Sequence, residues 1–292
     1  MATPAPALVR FTDPAAFFER ALPFLVAHEA EHNLLLGIAG QLARRPDAWG
    51  DQRPYEALVE AGGEIVAAAL RTPPFNLALS HVEDRWRDEA LDLLVTDLRA
   101  VAPVLPGVLG LTPIAEAFAD RWAGSRTGWR VRQAERIFQL TQVLPPPRVP
   151  GAMRPAAPSD RELVARWMMA FSVEALGEDD TYEESLEVVD RWRETGARTL
   201  WLWEVDSSPV SMVGTTGETP NGIRIGPVYT PPPLRGHGYA SALTAAVSQA
   251  QLDAGRRYCF LFTDLANPTS NHIYPVIGYR PVADVTDIRF TG

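Results

Sequence analysis

Residues 228–241, Val-Tyr-Thr-Pro-Pro-Pro-Leu-Arg-Gly-His-Gly-Tyr-Ala-Ser, decide how this chain is read. A strand ends at Val228-Tyr229-Thr230, and Pro231, Pro232 and Pro233 cannot carry it further. Arg235-Gly236-His237-Gly238-Tyr239-Ala240 then opens a helix. The first N–H groups of a helix have no internal partner, and the helix dipole is positive there. Small residues at 236, 238 and 240 let a phosphate approach the backbone closely, and Arg235 adds a permanent charge. The same stretch can also be read as a tight strand-to-helix turn with glycines chosen for backbone geometry alone. The spacing is not G-x-G-x-x-G, and the loop comes late in its domain, so a dinucleotide fold is disfavoured.

A second stretch lies about thirty residues on: Asp264-Leu265-Ala266-Asn267-Pro268-Thr269-Ser270-Asn271-His272-Ile273-Tyr274-Pro275-Val276-Ile277-Gly278-Tyr279. Asn267 can cap a helix that starts at Pro268. Tyr274 follows it by two helical turns and so shares its face. Gly278 ends the helix, and Tyr279 enters a last strand.

Around these stretches the C-terminal half reads as helices and strands in alternation. Ser159 is the expected N-cap of a helix over 160–176, and a second helix spans about 181–195 and stops at Gly196. Strand-like runs follow at 199–205, 210–216 and 223–230, then a helix over about 236–253, a strand over 257–263, a helix over 268–276 and a strand over 279–289. The N-terminal half shows helical spacing over 14–42, with Pro23 expected to break it in two. Apolar runs at 64–70 and 75–79 suggest a hairpin around Thr72-Pro73-Pro74. Helices over 87–101 and 112–124 and a long strand over 129–143 complete this half. The proline-rich run over 144–158 reads as a stiff connector. The expected domains are 1–145 and 159–292, joined by a linker over 146–158. Interleaved helices and strands place the chain in the α/β or α+β class.

Composition narrows the function. The 292 residues hold 27 basic and 36 acidic side chains, for a net charge of −9, which argues against a nucleic-acid or anionic-membrane binder. Every basic residue is Arg, so lysine Schiff-base and P-loop lysine chemistry are excluded. A lone cysteine, Cys259, excludes an internal disulfide and a cysteine metal cluster. No basic-then-apolar leader and no long apolar span is visible, which gives the expectation of a cytoplasmic, non-membrane protein.

Together, the Arg235–Ala240 and Asn267–Tyr279 stretches resemble the GNAT superfamily of acyl-CoA-dependent N-acyltransferases. Arg235, Gly238 and Ala240 match its Arg/Gln-x-x-Gly-x-Gly/Ala pyrophosphate motif, and Asn267, Tyr274 and Gly278-Tyr279 are similar to its Asn…Tyr…Gly-Tyr segment. The resemblance covers about residues 152–292. It implies a mixed, mostly antiparallel sheet flanked by helices, and acetyl-CoA (coenzyme A) as cosubstrate, with no metal. The backbone of Arg235, Gly236, His237, Gly238, Tyr239, Ala240 and Ser241 would hold the pyrophosphate. Val228, Tyr229 and Thr230 would offer backbone groups to the pantetheine arm, with the Val228 N–H polarising the thioester carbonyl. Asn267 would bind the same arm, and Tyr274 would protonate the departing thiolate. The order of elements in the N-terminal half suggests a degenerate copy of the same fold, and thus a tandem.

The chain departs from the family pattern on the strand before the phosphate loop. Ile223-Arg224-Ile225-Gly226-Pro227 carries no acid, so the general base is open among Glu174, Glu218 and Asp264. Trp201 and Trp203 either line an acceptor pocket or pack the sheet. The implied acceptor is an unidentified amine, and the chain is read as a monomer or homodimer. Two other readings stand beside this one. A non-catalytic acyl-CoA sensor would use the same cradle. A zinc hydrolase would use His28-Glu29-Ala30-Glu31-His32, which fits H-E-x-x-H on a predicted helix but lacks a third ligand nearby.

Overall fold

The computed structural model describes residues 5–50, 52–196 and 198–291. One order of elements, β-α-α-β-β-β-α-β-α-β, occurs twice in succession. The first pass comprises β1 (Ala7–Phe11), α1 (Pro14–Ala27), α2 (Asn33–Arg44), β2 (Tyr55–Ala61), β3 (Glu64–Arg71), β4 (Leu77–Leu79), α3 (Arg87–Val101), β5 (Gly107–Leu111), α4 (Thr112–Ala123) and β6 (Trp129–Leu140). The second comprises β7 (Ala152–Pro155), α5 (Arg161–Phe171), α6 (Tyr182–Thr195), β8 (Arg198–Val205), β9 (Ser208–Thr216), β10 (Gly222–Tyr229), α7 (Tyr239–Asp253), β11 (Tyr258–Asp264), α8 (Pro268–Val276) and β12 (Arg280–Phe290). This is the mixed α/β fold, mostly antiparallel and flanked by helices, that the sequence predicts.

The chain divides into two compact units, Met1–Ile137 with Val282–Gly292, and Phe138–Pro281. In the first, the strands run β1-β2-β3-β4-β5, and β12 lies antiparallel to β5 from Val285 opposite Leu111 to Arg289 opposite Gly107. In the second they run β11-β10-β9-β8-β7, with the end of β6 beside β11. The proline-rich stretch lies within this second unit. It is packed there: the Leu144 N–H donates to the Ile277 carbonyl at 3.0 Å, and the Pro150 carbonyl accepts from the Trp203 indole at 2.8 Å.

The central strands of each unit, such as β2, β3 and β9, are buried on both faces and so read as near-continuous apolar runs rather than polar alternations. In the first unit, Ala57 and Val59 face Leu91, Leu94 and Phe118 on α3 and α4, while Leu58 faces Phe17, Leu25 and Leu36 on α1 and α2. In the second, Trp203 and Val213 pack with Leu243, Tyr274 and Tyr279, while Leu202 and Met212 pack with Val164, Trp167 and Val189. Each such fully buried large side chain contributes about 1.5–3 kcal/mol.

Three local expectations are corrected. Pro23 lies inside α1, which runs on to Ala27. One lost backbone bond is outweighed by burial of Phe17, Ala21 and Leu25 on the same face. The break falls instead at 28–32, a turn rather than a helix. There His32, buried, donates from Nδ1 to the Leu25 carbonyl at 2.9 Å and closes α1. Ser159 is not the cap of the next helix. The Asp160 carboxylate accepts from the Ala157 N–H at 2.6 Å and is clamped by Arg154 at 2.6 and 3.0 Å.

Candidate functional site

The parallel strands β10 and β11 are paired only from Gly222 opposite Tyr258 to Arg224 opposite Phe260. Beyond that level both continue, β10 through Tyr229 and β11 through Asp264, without pairing to each other. The register of β10 against β9 shifts between Ile225 and Val228, and Gly226 sits at φ 144°. Such a bulge bends a strand and re-aims its backbone. Its neighbour must be glycine as well: a Cβ on Gly214 would come 2.7 Å from the Gly226 carbonyl oxygen. The result is an open wedge whose walls are backbone groups.

At the mouth of the wedge the chain turns into α7. Gly236 and Gly238 adopt left-handed conformations, φ 80° and 81°, and Gly238 is the N-cap. Successive N–H groups through such a turn make an anion-binding concavity. No acidic side chain stands in the first turn of α7 to occupy its amides. The loop is exposed from Arg235 to Gly238, and a Cβ on Gly236 would meet nothing within 4 Å. At Gly238 it would lie 3.1 Å from Val149 Cγ1. Tyr239, Ala240 and Ser241 form the half-buried first turn, with the His237 ring stacked on Tyr239 at 5.4 Å.

Arg235 is turned back toward the strand. Its Nε donates to the Thr230 carbonyl at 2.8 Å, and its Nη2 meets Glu174 Oε2 at 2.5 Å. The Tyr229 hydroxyl donates to the other Glu174 oxygen at 3.0 Å, and burial with this carboxylate pushes the phenol pKa up. Glu174 thus ties the segment after α5 to the phosphate loop. The Thr230 hydroxyl is paired with that of Ser211 at 2.9 Å.

On the other wall, Asn267 caps α8, its Oδ1 accepting from the Ser270 N–H at 3.1 Å. Tyr274 is buried two turns further along the same helix, with its ring edge-on to Tyr279 at 5.9 Å. Burial lifts the Tyr274 phenol well above the usual tyrosine range, so it holds its proton at neutral pH. Tyr279 is anchored behind it by Ser248 at 2.8 Å. Asn271 escaped the sequence reading. It accepts from Thr263 at 2.6 Å and donates to the carbonyls of Asp264 and Leu265 at 3.0 and 3.2 Å, fixing the β11–α8 corner. Its spacing, four after Asn267 and three before Tyr274, was the available signal. Gly226 inside a strand pattern was the signal for the bulge.

The three acids part company. Asp264 shapes the turn after β11, its Oδ1 accepting from the Ala266 N–H at 2.8 Å. Glu218 pairs with Arg256 at 2.6 Å, beside the starts of β10 and β11 and thus at the opposite end from the phosphate loop. Glu174 alone reaches the loop, and both its oxygens are engaged there. Trp203 is buried and Trp201 packs against the same core, as sheet packing requires.

The H-E-x-x-H reading is overturned. His28 to His32 form a turn, closed by a bond from the His32 N–H to the His28 carbonyl at 3.0 Å, rather than a run of helix. The Nε2 of His32 accepts from the His81 N–H at 2.8 Å while Nδ1 is on Leu25, so neither ring nitrogen is left to ligate zinc. Burial, opposed by the Leu25 bond, lowers the His32 pKa to about 4. Among the described residues no group of three or more His, Cys, Asp or Glu is placed to hold a metal ion, and no helix is long and apolar enough to cross a membrane.

Residues 163–279 match the family model described as Acetyltransferase (GNAT) family. No curated protein matches the chain significantly. Among solved structures, a tandem GNAT protein from the clavulanic acid biosynthesis pathway aligns over 97% of this chain and 97% of its own, at TM-score 0.61 and 14% identity. A GCN5-related N-acetyltransferase from Sphaerobacter thermophilus aligns over 98% of this chain and 95% of its own, at TM-score 0.58 and 22% identity. A GCN5-related N-acetyltransferase from Kribbella flavida covers 78% of this chain and 87% of its own, at TM-score 0.55 and 16% identity. At these identities the likeness is one of fold, and for the first two it spans both units.

Proposed function

Because residues 163–279 form a domain of the acetyltransferase (GNAT) family, whose members carry out acyl transfer, we propose that this chain moves an acetyl group from acetyl-CoA to an amine by direct attack in a ternary complex. One observation carries the reading: the wedge between β10 and β11 opens beside a helix start with two left-handed glycines. A diphosphate fits that cradle, which offers amide donors, open space at Gly236 and no acid in the first turn of α7.

In this reading the backbone of Arg235 to Ser241 binds the diphosphate. The backbone of Val228, Tyr229 and Thr230, with the amide of Asn267, lines the pantetheine arm. The donor supplies an activated thioester. A neutral amine attacks its carbonyl carbon, so a C–N bond forms as the C–S bond breaks. The Val228 N–H donates to the oxygen that gains charge. Tyr274 passes its phenolic proton to the leaving sulfur, and the amine releases its extra proton to water. Burial holds that proton on the phenol at neutral pH until the thiolate forms. Glu174 serves by holding Arg235 and Tyr229 in place rather than as a base. A cytoplasmic location would accord with this use of acetyl-CoA.

The test is thermal melting with acetyl-CoA, followed by an amine panel. The melting temperature should rise with ligand concentration by mass action, and turnover should appear with at least one amine. Binding without turnover in both the wild type and Tyr274→Phe would favour the sensor reading. No stabilisation at all would remove both.

A further inference from the structure

A pocket of ≈ 180 Å³ lies in the second unit between α5, α6 and the start of β8. It is at the end of the sheet away from the phosphate loop, since β8 begins level with the start of β10: Arg198 and Arg224 both stand opposite Thr216. Arg198 lines it, with Arg161 and Arg193 from the two helices and Val164, Val189 and Leu200 as its apolar wall.

Arg198 differs from the ion-paired arginines of this unit. Arg154 has Asp160 and Glu204, Arg161 has Asp190, Arg235 has Glu174 and Arg256 has Glu218. The Arg198 guanidinium has no carboxylate partner among the described residues. Its Nε is sealed from solvent with no hydrogen-bond acceptor. One face is covered by the Trp192 ring at 4.2 Å, which leaves the in-plane donors as its only outlet. Burial, and after it the charge of another cation, Arg224, lower its pKa. At the rim, Arg161 is paired with Asp190 and is also acted on by Glu162, and Arg193 stands by the same Asp190. Burying a cation this way is costly unless an anion completes it.

We infer that this pocket binds a small oxyanion, a carboxylate or a phosphate, on the guanidinium of Arg198, with any apolar remainder of the ligand against Val164, Val189 and Leu200. The planar fork of an arginine pairs two oxygens at once, and a flat ring behind it fixes the plane of that pairing. Isolation from the phosphate loop makes it a second site, separate from the one proposed for acetyl-CoA.

Inorganic phosphate and isovalerate, each titrated into the full chain against chloride at matched ionic strength, test this by melting temperature. A saturable rise is expected with at least one. Phosphate acting alone marks a phosphate-bearing ligand, and isovalerate acting alone marks a carboxylate with an apolar body. Arg198→Met should abolish the rise, and without ligand it should melt at or above the wild type, because an unpaired buried charge is gone. As a measurement independent of that variant's folding, the Nε–H NMR signal of Arg198 in the wild type should shift on titration with the active probe. No saturable rise with either anion, an equal rise in Arg198→Met, or an unmoved Arg198 signal would overturn the inference.

Discussion

The two units repeat one order of elements, yet they treat the same junction in opposite ways. In the second, β10 outruns its pairing with β11 and turns through Gly236 and Gly238 into α7, whose first turn carries no acid. In the first, β4 is only Leu77–Leu79 and is paired with β5 at Leu77 and Ala78, so no wedge opens. The chain then runs through Ser80-His81-Val82-Glu83-Asp84-Arg85-Trp86, without glycine, into α3. Asp88 and Glu89 occupy the first turn of α3, where they suit the helix dipole and repel a diphosphate. The His81 N–H is taken by His32. One fold thus carries an open anion cradle and a filled one, and the difference lies in a few loop residues.

The largest effect should come from Tyr274→Phe. Loss of a general acid lowers kcat by roughly 10²–10⁴-fold, while acetyl-CoA affinity stays within about twofold, since the phenol binds no phosphate. Steady-state kinetics beside calorimetry checks the split. Equal losses in kcat and binding would make Tyr274 a packing residue.

Next comes His32, which fills the first unit. The folded state refuses a proton that the unfolded state takes up below about pH 6.5. Its stabilisation is therefore complete above that pH and lost as pH falls toward about 4. The expected loss is about 3 kcal/mol over that window. Urea melts of the wild type and His32→Gln should show a shallower acid slope in the variant. Identical slopes would mean that His32 is not held neutral.

Gly238→Ala is expected to weaken acetyl-CoA binding by roughly tenfold, because a left-handed non-glycine residue costs about 1–3 kcal/mol and the new methyl meets Val149. Gly63→Ala, also left-handed but in the first unit's β2–β3 turn, should cost similar stability and leave binding unchanged. Smallest of all, Asp88→Asn with Glu89→Gln should cost about 0.5–1 kcal/mol of stability and create no second acetyl-CoA site. A second equivalent in calorimetry would show that charge alone had closed the first unit.

Much of this was legible in the sequence because it rests on local rules. The helix over 268–276 and the helix stop at Gly196 follow from capping residues that act within one turn. The cradle at Arg235–Ser241 was visible because only glycine holds φ near 80° there without strain. What was not legible depended on distant partners. The break at His28–His32 is set by a ring bonded to Leu25 and to the His81 backbone. The engagement of Glu174 by Arg235, 61 residues away, decides against its use as a base and has no local signature. The return of β12 to pair with β5 is likewise a tertiary choice, since its residues would read as a strand in either unit.

Hydrogen–deuterium exchange with and without acetyl-CoA tests the central claim most directly, because it reports on the amides themselves. New protection is expected over 235–242, with 80–89 unchanged. Protection over 80–89, or none over 235–242 at saturating acetyl-CoA, would contradict it.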